Sequence, residues 1–300
     1  MQRDSFVKRV LSRGAVTWPP TLYLILFFAL PTLVMLVASF RYAGEYGGLD
    51  PLFTEEQGKR ILSVTGESYQ RFATDSVYVE LFSKSFLYAI VTTFLCILLA
   101  YPLALMIARG AKKWRDLLLL LVILPFWSNF LIRIYAWMII LGPQAGLATA
   151  VNTFLGLFGV EPISLLFNPF AVLVCLVYVH LPFMILPLYA NLEKHDPALL
   201  DAAQDCGANG WQRFWRVTFP LSLPGVYAGA ALVFIPAFGA FAVPDILGGT
   251  DGIMIGNLIS QQFLIARDWP FGSALAIILT VVAVVFAGLA ALFARGRRYG

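Results

Sequence analysis

Residues 193–225 read EKHDPALLDAAQDCGANGWQRFWRVTFPLSLPG, a charged, helix-patterned insert between two strongly apolar stretches. Asp196 followed by Pro197 is a helix start, a carboxylate that accepts from free N–H groups and then a residue with no N–H to satisfy. PALLDAAQDC has the Ala and Leu content of a short helix, and Gly207 is placed to stop it in a left-handed C-cap. Asn209 is a second N-cap, predicting a second short helix over GWQRFWRVTF that ends before Pro220. The expected product is a helix–glycine–helix elbow standing out from one face of a bundle. Ala202 and Ala203 form a flat shoulder that another protein can approach closely, while Trp211, Phe214 and Trp215 suit an anchor on the bundle or the lipid interface. An amphipathic loop helix lying on lipid satisfies the same residues.

What surrounds the insert is a membrane protein by composition. The chain has 300 residues, 60% hydrophobic and 13% charged, and its mean hydropathy is +0.80. A water-soluble exterior needs about twice that charged fraction. The net charge of +4 does not mark a nucleic-acid surface, because the basic residues sit scattered at the ends of apolar runs. Cys96, Cys175 and Cys206 show no pairing or metal-like spacing and read as ordinary small residues.

A bilayer core is spanned by about 20 apolar residues in a helix. Residues 21–40, 82–108, 116–141, 169–192, 221–243 and 271–293 meet that requirement, so the fold class is an all-α polytopic bundle of about six transmembrane helices. The first run exceeds the length of a signal-peptide apolar core, and Val37-Ala38-Ser39 is a faint cleavage site, so an uncleaved helix is expected. Lys and Arg concentrate on one side: Arg3, Lys8, Arg9 and Arg13, then Arg109, Lys112, Lys113 and Arg115, then Lys194, Arg213 and Arg216, then Arg295, Arg297 and Arg298. That bias puts both termini and the insert in the cytoplasm. The expected organisation is a cytoplasmic segment 1–20 and a single transmembrane domain 21–300, with an external cap at 41–81 and the cytoplasmic loop at 193–220.

Two regions depart from simple spans. Residues 142–168 are semi-apolar and broken by Gly and Pro, which suggests an external interfacial or re-entrant helix with protein around its backbone. Arg133 lies late in the third apolar run, where it either snorkels to the headgroups or lines a polar pathway. The prolines within the runs invite kinks that neighbouring helices must tolerate.

The spacing inside the insert is specific. Asp201-Ala202-Ala203, three residues, Gly207, nine residues, then Val217-Thr218-Phe219-Pro220 closely resembles the EAA signature of ABC-importer permeases. Asp201, Val217 and Phe219 stand where that signature has Glu, Ile and Leu. The stretches LPFWSNFLIRIYAW (124–137), YVHLPFMILPLY (178–189), FIPAFGAFAVPDILGG (234–249) and RDWPFGSALAI (267–277) look like the spermidine/putrescine-type permeases. The resemblance covers most of the chain from the second span onward and is weakest in the external segment. It implies a type I importer permease (MetI-like) architecture in a bacterial inner membrane. It also implies that two such permeases pair, that an external binding protein delivers a small-molecule substrate, and that a dimer of ABC ATPase subunits drives the cycle. Asp201, Ala202, Ala203, Gly207, Val217 and Pro220 would then couple the permease to the ATPase.

The chain has no phosphate-cradling G-x-x-x-x-G-K-[ST] motif, so it is expected not to be an enzyme and to need no cofactor, ATP hydrolysis falling to the partner. An intramembrane enzyme would need a catalytic cluster inside a span, and His180 and His195 are poorly placed for one, His180 reading better as a packed residue. An ion-coupled secondary transporter would favour buried carboxylates and inverted repeats, neither of which is visible. A polyamine pathway calls for carboxylates and aromatic faces. The candidates are Trp127, Tyr135, Trp137, Asp245, Asp251 and Trp269, with Arg133 arguing against a polycation if it lines the path. The aromatics serve an interface belt or packing equally well. Opine-like compounds, phosphonates and iron remain alternative solutes within the same importer class.

Overall fold

In the computed structural model, residues 17–51, 53–56 and 59–296 are described. Most of the expected N-terminal segment 1–20, with its basic residues, and Arg297 and Arg298 lie outside them.

Among the described residues, six helices are long and apolar enough to cross a membrane. The first, α1 (Thr17–Ala38), contains a widened turn at Ile25–Ala29 just before Pro31, whose ring denies the helix one hydrogen bond. A short antiparallel hairpin follows, β1 (Phe53–Glu56) with β2 (Lys59–Leu62), and then α2 (Glu67–Thr74). The second candidate span is α3 (Ser76–Arg109).

The third expected span, 116–141, is not one helix. It is α4 (Lys112–Ile123), a tight turn at Leu124–Trp127, and α5 (Phe130–Leu141). Ser128 is extended, and the Asn129 side chain accepts from Leu131 N at 2.8 Å to begin a new helix. A proline at 125 and a capping asparagine at 129 therefore divide an unbroken apolar run. The third span by length and apolarity is Phe130–Gly156, α5 followed across a joint by α6 (Gly146–Gly156), so part of the expected interfacial segment belongs to it.

The fourth span, α7 (Pro169–Leu192), has the expected limits, its start fixed by Asn168, which accepts from Ala171 N at 2.9 Å. After α8 (Ala198–Asp205) comes α9 (Gly210–Phe238). The expected end before Pro220 does not occur. Phe219 N donates to Phe214 O across a widened turn at Phe214–Thr218, so Pro220 enters the first turn of the next segment, where its missing N–H is tolerated. The fifth span thus begins inside the elbow and ends at Phe238 rather than at 243. Two short helices, α10 (Ala242–Leu247) and α11 (Ile255–Gln261), precede the last span, α12 (Trp269–Gly296).

The chain divides into two units, Met1–Ser76 with Ile259–Thr280, and Val77–Leu258 with Val281–Gly300. In the first, the segment after α1 is tied to the start of α12. Gly48 N donates to Arg267 O at 2.8 Å, and Arg71 pairs with Asp268 at 3.0 Å while lying 4.3 Å from the Phe271 ring centre. Ser39 Oγ and Tyr69 Oη are 2.7 Å apart.

The second unit is organised by the packing of α7 on α9. Gly225 and Gly229 lie one helical turn apart on α9 and allow a close approach. A Cβ on Gly225 would fall 2.7 Å from Asn191 Cβ and 3.2 Å from Leu188 Cα, and one on Gly229 would fall 2.6 Å from Met184 Sδ. Around this contact Cys96, Ala100, Ala104, Ile107, Met184, Leu188 and Val233 form one buried cluster. A second cluster takes Ile134, Leu141, Cys175, Leu176, Val179, Val243, Leu247 and Met254. Through it α10 and Met254 pack against α5 and α7, and Ser85 Oγ accepts from Ile255 N at 2.7 Å to hold the start of α11 on α3.

Candidate functional site

The elbow is built by local hydrogen bonds. Asp196 accepts from Ala198 N at 3.0 Å. Gly207 has φ +83°, and Gly207 N donates to Gln204 O at 2.8 Å while Ala208 N donates to Ala203 O at 3.0 Å, the paired bonds of a Schellman stop. Asn209 and Gln212 then make a reciprocal capping box, at 2.9 and 3.0 Å. Arg213 donates to Gln204 Oε1 at 2.7 Å, which ties the second helical segment to the first.

Of the signature residues, Asp201, Ala202 and Gly207 are exposed, while Ala203, Val217 and Pro220 are half-buried. The first group forms an open shoulder and the second the root. Phe214 anchors the root, its ring 5.4 Å from Tyr101 and 6.3 Å from Phe219. Trp211 and Trp215 stack edge to face at 5.5 Å and stay exposed. Arg115 pairs with Glu193 at 2.9 Å, linking the start of α4 to the loop. Behind the elbow is a cavity of about 510 Å³ with Arg109, His195, Arg213 and Leu221 in its wall. Burial pushes the His195 imidazole below its ordinary pKa, a hydrogen bond with the Leu221 backbone opposes this, and Arg109 adds to the lowering.

The candidate pathway residues are not gathered into one cluster. Trp127 ends the turn between α4 and α5 and is exposed, as is Tyr135. Trp137 packs against the second buried cluster, 5.5 Å from the Tyr178 ring. Asp245 is exposed on α10, with Asn257 Nδ2 at 3.4 Å from its carboxylate. Asp251 is exposed in the following loop, where its carbonyl accepts from Lys84 Nζ. Trp269 opens α12 and is half-exposed. Arg133 is the candidate that lines a cavity, of about 320 Å³, between α5, α7 and the end of α9. His180 lies in the same cavity and is committed to its own helix, Nδ1 standing 2.8 Å from Leu176 O. Phe126, Phe130 and Phe183 complete much of the wall. Sequence reading passed over these residues because phenylalanines in apolar runs look like ordinary packing.

Six candidate spans among the described residues, broken and kinked by proline, with a capped elbow between the fourth and fifth, define a multi-pass helical membrane protein. The fold matches a solved bacterial ABC transporter involved in the import of the acidic polysaccharide alginate, at TM-score 0.72 and 18% identity, covering 99% of both chains. Residues 10–299 match the binding-protein-dependent transport system inner membrane component family, and the chain belongs to that family. It is 42% identical to the spermidine/putrescine transport system permease protein PotB of Salmonella typhimurium (strain SL1344), over 94% of this chain and 92% of that protein. The PotB of Escherichia coli (strain K12) is also 42% identical, over 87% of this chain and 90% of its own length. The protein is accordingly a multi-pass component of the inner membrane.

Proposed function

We propose that this chain is one permease subunit of a polyamine ABC importer. The observation that carries the reading is the 42% identity to spermidine/putrescine permeases, which runs through nearly the whole chain. In this reading the chain supplies half of the translocation pathway. A second permease supplies the other half, an external binding protein delivers the solute, and a dimer of ATPase subunits receives the elbow in a groove. The exposed shoulder at Asp201, Ala202 and Gly207 supports that role, because its small residues permit close approach and its caps make it rigid. Both termini are cytoplasmic, 21–300 acts as a single permease domain, and 41–81 faces outward. Purifying the assembled transporter with its binding protein and identifying the bound solute by mass spectrometry tests the substrate directly. A bound solute other than a polyamine would refute it.

Reporter fusions test the topology. Fusions after Arg115 and Gly210 are expected to read cytoplasmic, and one after Gly66 external. An external reading at Gly210 would remove the elbow from any ATPase.

Asp245 and Asp251 are the exposed carboxylates proposed to attract the cation at the outer mouth. Asp245→Asn and Asp251→Asn are each expected to raise the uptake KM on the order of three- to tenfold, since a cleft's charge concentrates an oppositely charged solute. Assembly, followed by co-purification, should be unchanged. An unaltered KM in both variants would discard them as attraction sites.

A second reading, a carboxylated or phosphorylated solute, is favoured by Arg133, whose Nε is buried without a hydrogen-bond partner among the described residues. Solute identification separates the two.

A further inference from the structure

The cavity at Arg133 lies deep in the span. Leu176, Val179, His180 and Phe183 in its wall occupy the middle of the 24-residue α7, which places it near the centre of a bilayer crossing. Its other walls come from Phe126 and Phe130 at the broken joint between α4 and α5, and from residues 239–243 after α9. Among the described residues no carboxylate lines it. His180 is spent on the Leu176 carbonyl. Arg133 is therefore the fixed charge of the cavity, and a guanidinium does not lose its proton in a protein.

The way that charge is held is informative. The guanidinium carbon is 5.6 Å from the Phe126 ring centre and 5.7 Å from that of Phe130, within cation–π range of both. Nε is buried and has no hydrogen-bond partner among the described residues. A cation of the protein itself thus occupies an aromatic niche with no carboxylate in the cavity wall among the described residues. An alkylammonium group would be drawn to the same ring faces.

A cation importer has a particular leak problem. The membrane potential pulls every small cation inward, so a cavity that suits ammonium groups needs a device that refuses potassium and protons at rest. A fixed positive charge in the pathway is such a device, as in pores where an arginine excludes cations. We propose that Arg133 is the resting barrier of this permease: it excludes inorganic cations from the mid-membrane cavity and occupies the aromatic niche that a substrate ammonium takes when the path opens. The barrier concerns any small cation, while the niche's substrate rests on the polyamine reading above.

The test uses the complete transporter, both permeases with the ATPase, reconstituted in liposomes under a potassium gradient without ATP or binding protein. Arg133→Gln is expected to raise potassium leak about tenfold or more, and Arg133→Lys, which keeps the charge, to leave it near the unmodified level. Passive putrescine flux should rise with the same variant. Potassium leak that stays unchanged in an assembled Arg133→Gln transporter overturns the barrier. If that variant does not co-purify with its partners, Arg133→Met decides, because it removes the charge and keeps most of the side chain's apolar length. A several-fold rise in leak is expected there, and none overturns the proposal. Leak in Arg133→Gln, together with no polyamine-stimulated ATP hydrolysis in the unmodified complex, would keep the barrier and refute the substrate reading instead.

Discussion

Gly207→Val is expected to abolish substrate uptake while leaving the permease inserted and paired with its second permease. Gly207 has φ +83°, a conformation that costs a residue with a Cβ roughly 1 kcal/mol or more and a β-branched residue the most. Apart from its chain neighbours, no atom of the described residues lies within 4 Å of the position a Cβ would take, so packing does not block the side chain. The damage is to the turn and to whatever sits against it. The Schellman bonds at Gln204 and Ala203 would be lost or distorted, and the shoulder would change its angle. Ala203→Glu attacks the root of that shoulder by placing a charge on a half-buried position without a partner. Both variants are expected to lower binding-protein-stimulated ATP hydrolysis at least about tenfold, the effect of roughly 1.4 kcal/mol at the coupling contact we propose. Reconstituted complexes supply the measurement, together with co-purification of the ATPase. Full stimulation and full uptake in both variants would mean that the elbow does not transmit the stroke.

The second large effect is expected at the α7–α9 contact. Gly225→Leu should prevent the permease from accumulating as a monodisperse species in detergent. Even a Cβ there meets Asn191 Cβ at 2.7 Å and Leu188 Cα at 3.2 Å, atoms fixed to the backbone of α7 that cannot rotate aside. A leucine would force the two helices apart and open the buried cluster around Met184, Leu188 and Val233. Overpacking of this kind costs about 1–3 kcal/mol when the structure can adjust, and more when the obstacle is backbone. Gly225→Ala should fold with a melting temperature several degrees lower. Gly229→Ala should be milder, because the nearest obstacle is Met184 Sδ, the movable part of a flexible side chain. Size-exclusion profiles in detergent score Gly225→Leu, and thermal unfolding ranks the two alanine variants. Equal stability of Gly225→Leu and the unmodified protein would show that the helices do not depend on this approach.

The elbow was almost wholly legible from the linear chain. Asp196, Gly207 and Asn209 act on backbone groups two or three residues away, so their chemistry is complete within the quoted stretch. The failure at Pro220 is instructive for the same reason. Proline was read as a stop, yet a turn one residue wider carries the helix past it. The third span failed at Pro125 and Asn129, where hydropathy is blind because a broken helix and a continuous one have the same composition. Gly225 and Gly229 were visible as glycines four apart, but their partners, Leu188, Asn191 and Met184, come from another helix.

The sequence by itself determined that the chain is a helical membrane protein with six candidate spans and a rigid elbow between the fourth and fifth. Those properties are sums over about 20 consecutive residues, or hydrogen bonds within one turn, and they need no distant neighbour. Only the tertiary structure decided which glycines bring helices together, that α10 packs against α5 and α7, and that Arg133 lies between Phe126 and Phe130 in a cavity. Each of these depends on side chains from separate helices meeting at a few ångströms, and the order of residues along one helix does not specify which face of another it will meet.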